Sequence, residues 1–172
     1  MTEEAPLFVG KLGAYRPASL PQAPHEAAQL LAAAAARGHE LLGAYQLDVW
    51  ADRVLAVHRA DDTTLLLIGA TSEGGLADRL TWFDDGTLLY TTSLESPLDM
   101  SRYGVVHQRV SALDLDAVEA AHHERAERLD ALCGGRCPAP ADLEAALGRL
   151  DTLYFGVLTA AKEEAKRSKR ST

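Results

Sequence analysis

Between Leu42 and Ser93 the chain alternates short apolar runs with turn-forming clusters. Tyr45, Leu47 and Val49 alternate with Gln46 and Asp48, the period-two pattern of a half-buried strand. Val54 to Val57 is mostly apolar and ends at Ala60-Asp61-Asp62, a turn cluster. Leu65 to Ile68 is a continuous apolar run, as in a central strand covered on both sides. Asp85-Gly86, set between Trp82-Phe83 and Leu88-Leu89-Tyr90, has the form of a hairpin turn, because glycine supplies the positive φ such turns need. Gly74-Gly75 reads as a flexible loop. The pattern predicts an antiparallel meander over 42–111. Its five strands gain a sixth if Val105, Val106 and Val110 form one with His107 and Arg109 on the other face.

The flanking segments have helical spacing. Ala27, Leu30, Leu31 and Ala34 make one stripe between Pro24 and Arg37, with Gly38 as the stop. This helix should lie flat on the sheet, because its alanines allow close approach. Ser111 to Asp114 resembles a capping box and predicts a helix to about Leu132, with Leu115, Val118, His122, Leu129 and Leu132 on one side. A last helix from about Ala141 carries Leu143, Leu147, Leu150, Tyr154, Val157 and Ala161 at near-heptad spacing, interrupted by Gly148 and Gly156. The expected fold is α+β: an N-terminal helix, a five- to six-stranded antiparallel meander, and two C-terminal helices packed on one sheet face. The organisation expected is one domain over 1–161, comprising an N-terminal arm at 1–22, the meander and a helical hairpin over 114–161. A basic tail follows at 162–172. The arm carries Leu7, Phe8, Val9 and Leu12 as a small apolar cluster, and Pro97 marks a loop before Arg102.

Composition narrows the function classes. With 172 residues, 47% of them apolar, the chain can bury a sizeable core. A net charge of −8 disfavours nucleic acid as a partner of the folded body. The tail alone is basic, with five basic and two acidic residues. No run is long enough to span a membrane. The acidic start, MTEEAPLF, is unlike a secretory signal and points to the cytoplasm, where the two cysteines would be thiols.

Candidate chemistry is sparse. Glu119, His123 and Glu127 share one helix face, with Asp116 and Asp130 close by. Such a face is either solvated or able to hold a divalent metal. His122, on the apolar side, reads as a core histidine with one hydrogen-bond partner. Cys133 and Cys137 could supply half of a zinc site. Against this, no second clear ligand pair is present. A redox pair is disfavoured as well, because three residues intervene and Cys133 sits at a helix C-terminus, where the dipole does not lower a thiol pKa. His58, His107, Asp48, Arg53, Arg59, Arg79 and Arg109 could line a polar sheet face, with the arginines facing an anionic ligand or acidic partner. Gly10-Lys11 lacks the rest of a phosphate-binding loop, and no hydrolase, zinc-protease or dinucleotide motif is present.

These features point first to a non-catalytic module that engages a protein partner or a second copy of itself through the sheet face or the C-terminal seam. No cofactor is expected on this reading. The alternatives are a metal-binding protein or metal-dependent enzyme using Glu119, His123 and Glu127, with the cysteines, and a binder of a small apolar ligand between sheet and helices.

Overall fold

The computed structural model describes residues 4–22, 25–95 and 100–170. The readings placed on the first three residues, Pro24, Pro97 and the last two residues lie outside this range.

Eight strands form one sheet in sequence order: β1 (Phe8–Gly10), β2 (Gly13–Pro17), β3 (Glu40–Leu47), β4 (Val54–Arg59), β5 (Thr64–Thr71), β6 (Gly74–Trp82), β7 (Leu88–Thr92) and β8 (Val105–Arg109). Three helices complete the α+β fold: α1 (Glu26–Ala36), α2 (Leu115–Cys133) and α3 (Leu143–Arg170). The five meander strands and the sixth after Arg102 form near where the alternation puts them, except that β3 stops at Leu47 and Val49, expected to continue it, lies in a 3-10 turn over Asp48–Trp50. The sheet is larger than expected because the N-terminal arm folds into the β1–β2 hairpin, pairing Tyr15 with Leu47 at the meander's edge. It is also mixed, because β8 runs parallel to β7. A parallel neighbour needs a crossover connection, which the chain makes between β7 and β8. Gly74 and Gly75 are not a loop: they begin β6, opposite Thr71 and Ala70.

The helix arrangement corrects the expectation of one covered face. Along β5, Leu65 and Leu67 join one core, while Leu66 and Ile68 join another. Adjacent strand residues point to opposite faces, so this run needs cover on both. α1 covers one face with Ala27, Leu30 and Ala34. α2 extends the same layer, placing Ala126, Leu129 and Cys133 on Phe83 and Leu89. α3 crosses the opposite face, burying Leu147, Leu150 and Tyr154 against Tyr45, Leu55, Leu67 and Leu80.

The chain changes face between α2 and α3. Gly134 ends α2 in the left-handed conformation. The segment then hydrogen-bonds around the end of the sheet, with the Cys137 amide donating to Trp82 O at 2.8 Å and the Ala139 amide to Asp62 O at 2.8 Å. Arg136 grips Asp130 by two 2.8 Å bonds as the bend begins. The expected helical hairpin is therefore a wrap around the sheet, not a turn between neighbouring helices. α2 starts one turn later than the capping-box reading: Asp114 is its N-cap, accepting from the Asp116 amide. The N-cap of α1 is His25, whose Nδ1 accepts from the Ala27 amide while Nε2 donates to Thr71 O.

Two glycines are required where α3 meets the sheet. A Cβ on Gly43, at the bulge in β3, would lie 2.6 Å from the Leu143 side chain. A Cβ on Gly10 would lie 2.3 Å from Cγ of Asp151. That carboxylate sits in the β1–β2 turn, accepting from the Lys11 amide at 2.8 Å, the Leu12 amide at 3.2 Å and the Tyr15 hydroxyl at 2.8 Å. The Gly10-Lys11 turn thus cradles an anion, and the anion belongs to the chain itself.

Candidate functional site

On the α3 side, the inward positions of β6 are Leu76, Asp78 and Leu80, and those of β7 are Leu88, Tyr90 and Thr92. Asp78 is the exception in this apolar series. It is 4% exposed and accepts hydrogen bonds from the Tyr90 hydroxyl at 2.9 Å and from the Thr92 hydroxyl opposite it. Burial raises its pKa to about 6, against the lowering pull of Thr92, Tyr90 and Arg53. The same burial drives the Tyr90 phenol well above its ordinary value, and the negative Asp78 beside it adds to the rise.

These groups line a cavity of about 300 Å³ between the sheet, α3 and residues Leu94, Glu95 and Met100. Its apolar walls come from Leu55, Leu76, Leu94, Met100, Leu153 and Val157. Trp50 and Tyr154 add an aromatic corner, their rings edge to face at 4.6 Å. The Tyr154 hydroxyl is paired with that of Tyr45 at 3.0 Å, so the corner is fixed from behind.

Two basic side chains reach the cavity from separate elements. A short 3-10 turn, Asp48–Trp50, is closed by a hydrogen bond from the Arg53 amide to Trp50 O, and it leaves the Arg53 guanidinium 5.6 Å from the Trp50 ring centre. His107, on β8, is tilted against Tyr90 with 5.5 Å between ring centres. Burial lowers the His107 pKa and favours the neutral ring. Nε of Arg53 and Nε2 of His107 are both buried without a hydrogen-bond partner. Glu95 stands on the same cavity, 3.9 Å from Arg109. The arrangement offers apolar contact, a satisfied carboxylate, an unsatisfied guanidinium donor and an imidazole nitrogen without a partner around one cavity.

The residues singled out from the sequence are divided among several places. Of the seven scattered polar residues, only Arg53 and His107 line this cavity. Asp48 pairs with Arg16 and Arg59 with Glu40 at the surface. His58 and Arg79 are buried on the opposite face, where Arg79 lies 3.7 Å from both Asp61 and Glu119. Glu119 therefore faces Arg79 and Arg37 rather than His123. His123 meets Glu127 at 3.1 Å on the exposed side of α2. Cys133 is buried against Phe83, and Cys137 turns to Asp84 at 3.5 Å. Among the described residues no group of three or more His, Cys, Asp and Glu side chains is placed to hold a metal ion.

His122 is a core histidine with two partners rather than the single one expected. Its ring nitrogens meet Thr81 Oγ1 at 2.9 Å and Thr91 Oγ1 at 2.8 Å. Thr81 continues to Thr64, while Gln108 donates to Thr91 and to Ala121 O, which ties α2 to three strands. Burial, with nearby Arg79 adding to the effect, lowers the His122 pKa to about 3.

Sequence reasoning missed Asp78, Tyr90, Thr92, Trp50 and Tyr154 as neighbours. A signal was present: in Leu76-x-Asp78-x-Leu80 an acid takes an inward position of a strand, and a buried acid needs partners. Which strands would supply them depended on the pairing.

No family model matches the chain, and neither the curated proteins nor the solved structures give a match. Among the described residues no helix is long and apolar enough to cross a membrane.

Proposed function

We propose that this protein binds a small, largely apolar molecule, without catalysis, in the cavity between the sheet and α3. The supporting observation is a partly open cleft of about 300 Å³ with mainly aliphatic and aromatic walls and a few polar groups. Small-molecule sites commonly have this composition. Its volume equals that of about ten waters at ~30 Å³ each, which suits a ligand of roughly ten non-hydrogen atoms. Both surfaces considered for a protein partner, the sheet face and the α3 seam, are packed against each other in the core. This favours the small-ligand reading over an interaction module.

Native mass spectrometry of the untagged protein, beside its denatured mass, tests the reading. One small organic molecule per chain is expected, and it should be lost in Val157→Phe, which fills the cavity from α3. An adduct retained undiminished in that variant would place the site elsewhere.

A further inference from the structure

The walls of the cavity also select the charge of its occupant. This argument rests on the small-ligand reading above. Four charged or titratable side chains besides the tyrosines face the space: Arg53, Asp78, Glu95 and His107. Their states of satisfaction differ. Asp78 already accepts from two hydroxyls, one on each carboxylate oxygen. Glu95 is turned toward Arg109. Arg53 has no carboxylate within ion-pair distance among the described residues; its neighbour is the face of Trp50, and its Nε lacks a partner. His107 Nε2 lacks one as well.

A donor held away from water without an acceptor is costly, of the order of 1–3 kcal/mol and more when charged. Among the described residues the cavity therefore offers a guanidinium without an acceptor on Nε and has no shortage of anionic groups for a cation. We infer that the ligand is a small monocarboxylate with an apolar body, its head held by Arg53 with His107 donating beside it. Its body lies against Trp50, Tyr154, Leu153 and Val157. Arginine suits this task because its planar fork matches a carboxylate, and the contact strengthens where water is excluded.

The test compares three probes of nearly one shape: phenylacetate, phenylacetamide and 2-phenylethylamine. Binding to the full chain is measured by calorimetry and by saturation-transfer NMR. Phenylacetate should bind about tenfold or more tighter than the other two, the range of one charge-assisted hydrogen bond. Arg53→Gln should remove that preference, weakening phenylacetate binding about tenfold or more and phenylacetamide binding by much less. Arg53→Lys should restore part of it, which separates loss of the charge from loss of the fold. Equal binding of all three would overturn the carboxylate assignment and leave the cavity reading standing. A preference for the amine would overturn it in favour of recognition by Asp78. Binding of none at millimolar concentration would overturn the cavity reading and this inference together.

Discussion

The carboxylate of Asp151 shows how a single side chain can seat an element. Three donors from the β1–β2 hairpin end on it, two of them backbone amides. Asp151→Ala would leave these donors without an acceptor in a half-buried turn. Each orphaned donor costs on the order of 1 kcal/mol, so a loss of about 2–4 kcal/mol is expected in urea unfolding. Gly10→Ala should also destabilise, because its Cβ would meet the same carboxylate at 2.3 Å. The two changes should not add: with the carboxylate gone, the alanine has room. A double-mutant cycle giving strict additivity would refute this account of the turn. Gly10 and Lys11 were visible in the sequence as an unusual pair, but their partner lies 140 residues away and no local pattern names it.

The helix α3 combines two functions along 28 residues, about 42 Å at 1.5 Å per residue. Its first half supplies Leu147, Leu150 and Tyr154 to the core, and Leu153 and Val157 to the cavity wall. The ring of Tyr103 packs beside Gly156, where an added Cβ would lie 3.6 Å from it, an ordinary contact. Beyond Ala161 the side chains are mostly exposed, and a cross-chain tie is Arg102 to Glu163 and Glu164 at 3.6 and 3.9 Å. Exposed pairs of this kind contribute about 0–1 kcal/mol. Removal of 162–172 should therefore lower Tm by only a few degrees, whereas Leu150→Ala should cost about 2–5 kcal/mol. A collapse of the fold on truncation would mean that the helix end contributes more than its exposed contacts imply. The apolar stripe of α3 was legible from its spacing. Its partner was not, because a helical stripe says that it must be covered and not by what.

At the scale of the whole molecule, buried titratable groups set how stability responds to acid. Burial, followed by the influence of Arg79, lowers the His122 pKa to about 3, and burial, followed by the influence of His39, lowers that of His58 to about 4. Both are depressed below the ordinary value near 6.5. Their contribution is therefore fully present above pH 6.5 and is lost as pH falls toward 4. Asp78 acts in the opposite sense: its pKa is raised to about 6, so its contribution is present near pH 4 and lost as pH rises through 6. Each group contributes a slope of up to about 1.4 kcal/mol per pH unit. Two losses against one gain should give net destabilisation between pH 6.5 and 4. In denaturant unfolding across that range, Asp78→Asn should steepen the fall and His122→Gln should flatten it. An unchanged slope in both variants would show that these groups do not titrate as their surroundings dictate.

The alternation of apolar and polar residues by itself determined the meander strands, the three helices and the faces each had to bury. These follow from backbone geometry, which repeats every two residues in a strand and every 3.6 in a helix. Even the two-sided burial of Leu65 to Ile68 was legible, since four consecutive apolar residues leave no strand face for water. Only the tertiary structure decided the rest: the addition of β1 and β2 to the sheet, the parallel pairing of β8, the passage of the chain around the sheet end and the meeting of Asp78, Tyr90, Arg53 and His107 at one cavity. Such outcomes depend on contacts between residues far apart in the chain. Many partners would satisfy the same local pattern, and the choice among them is made by the packing of the whole core.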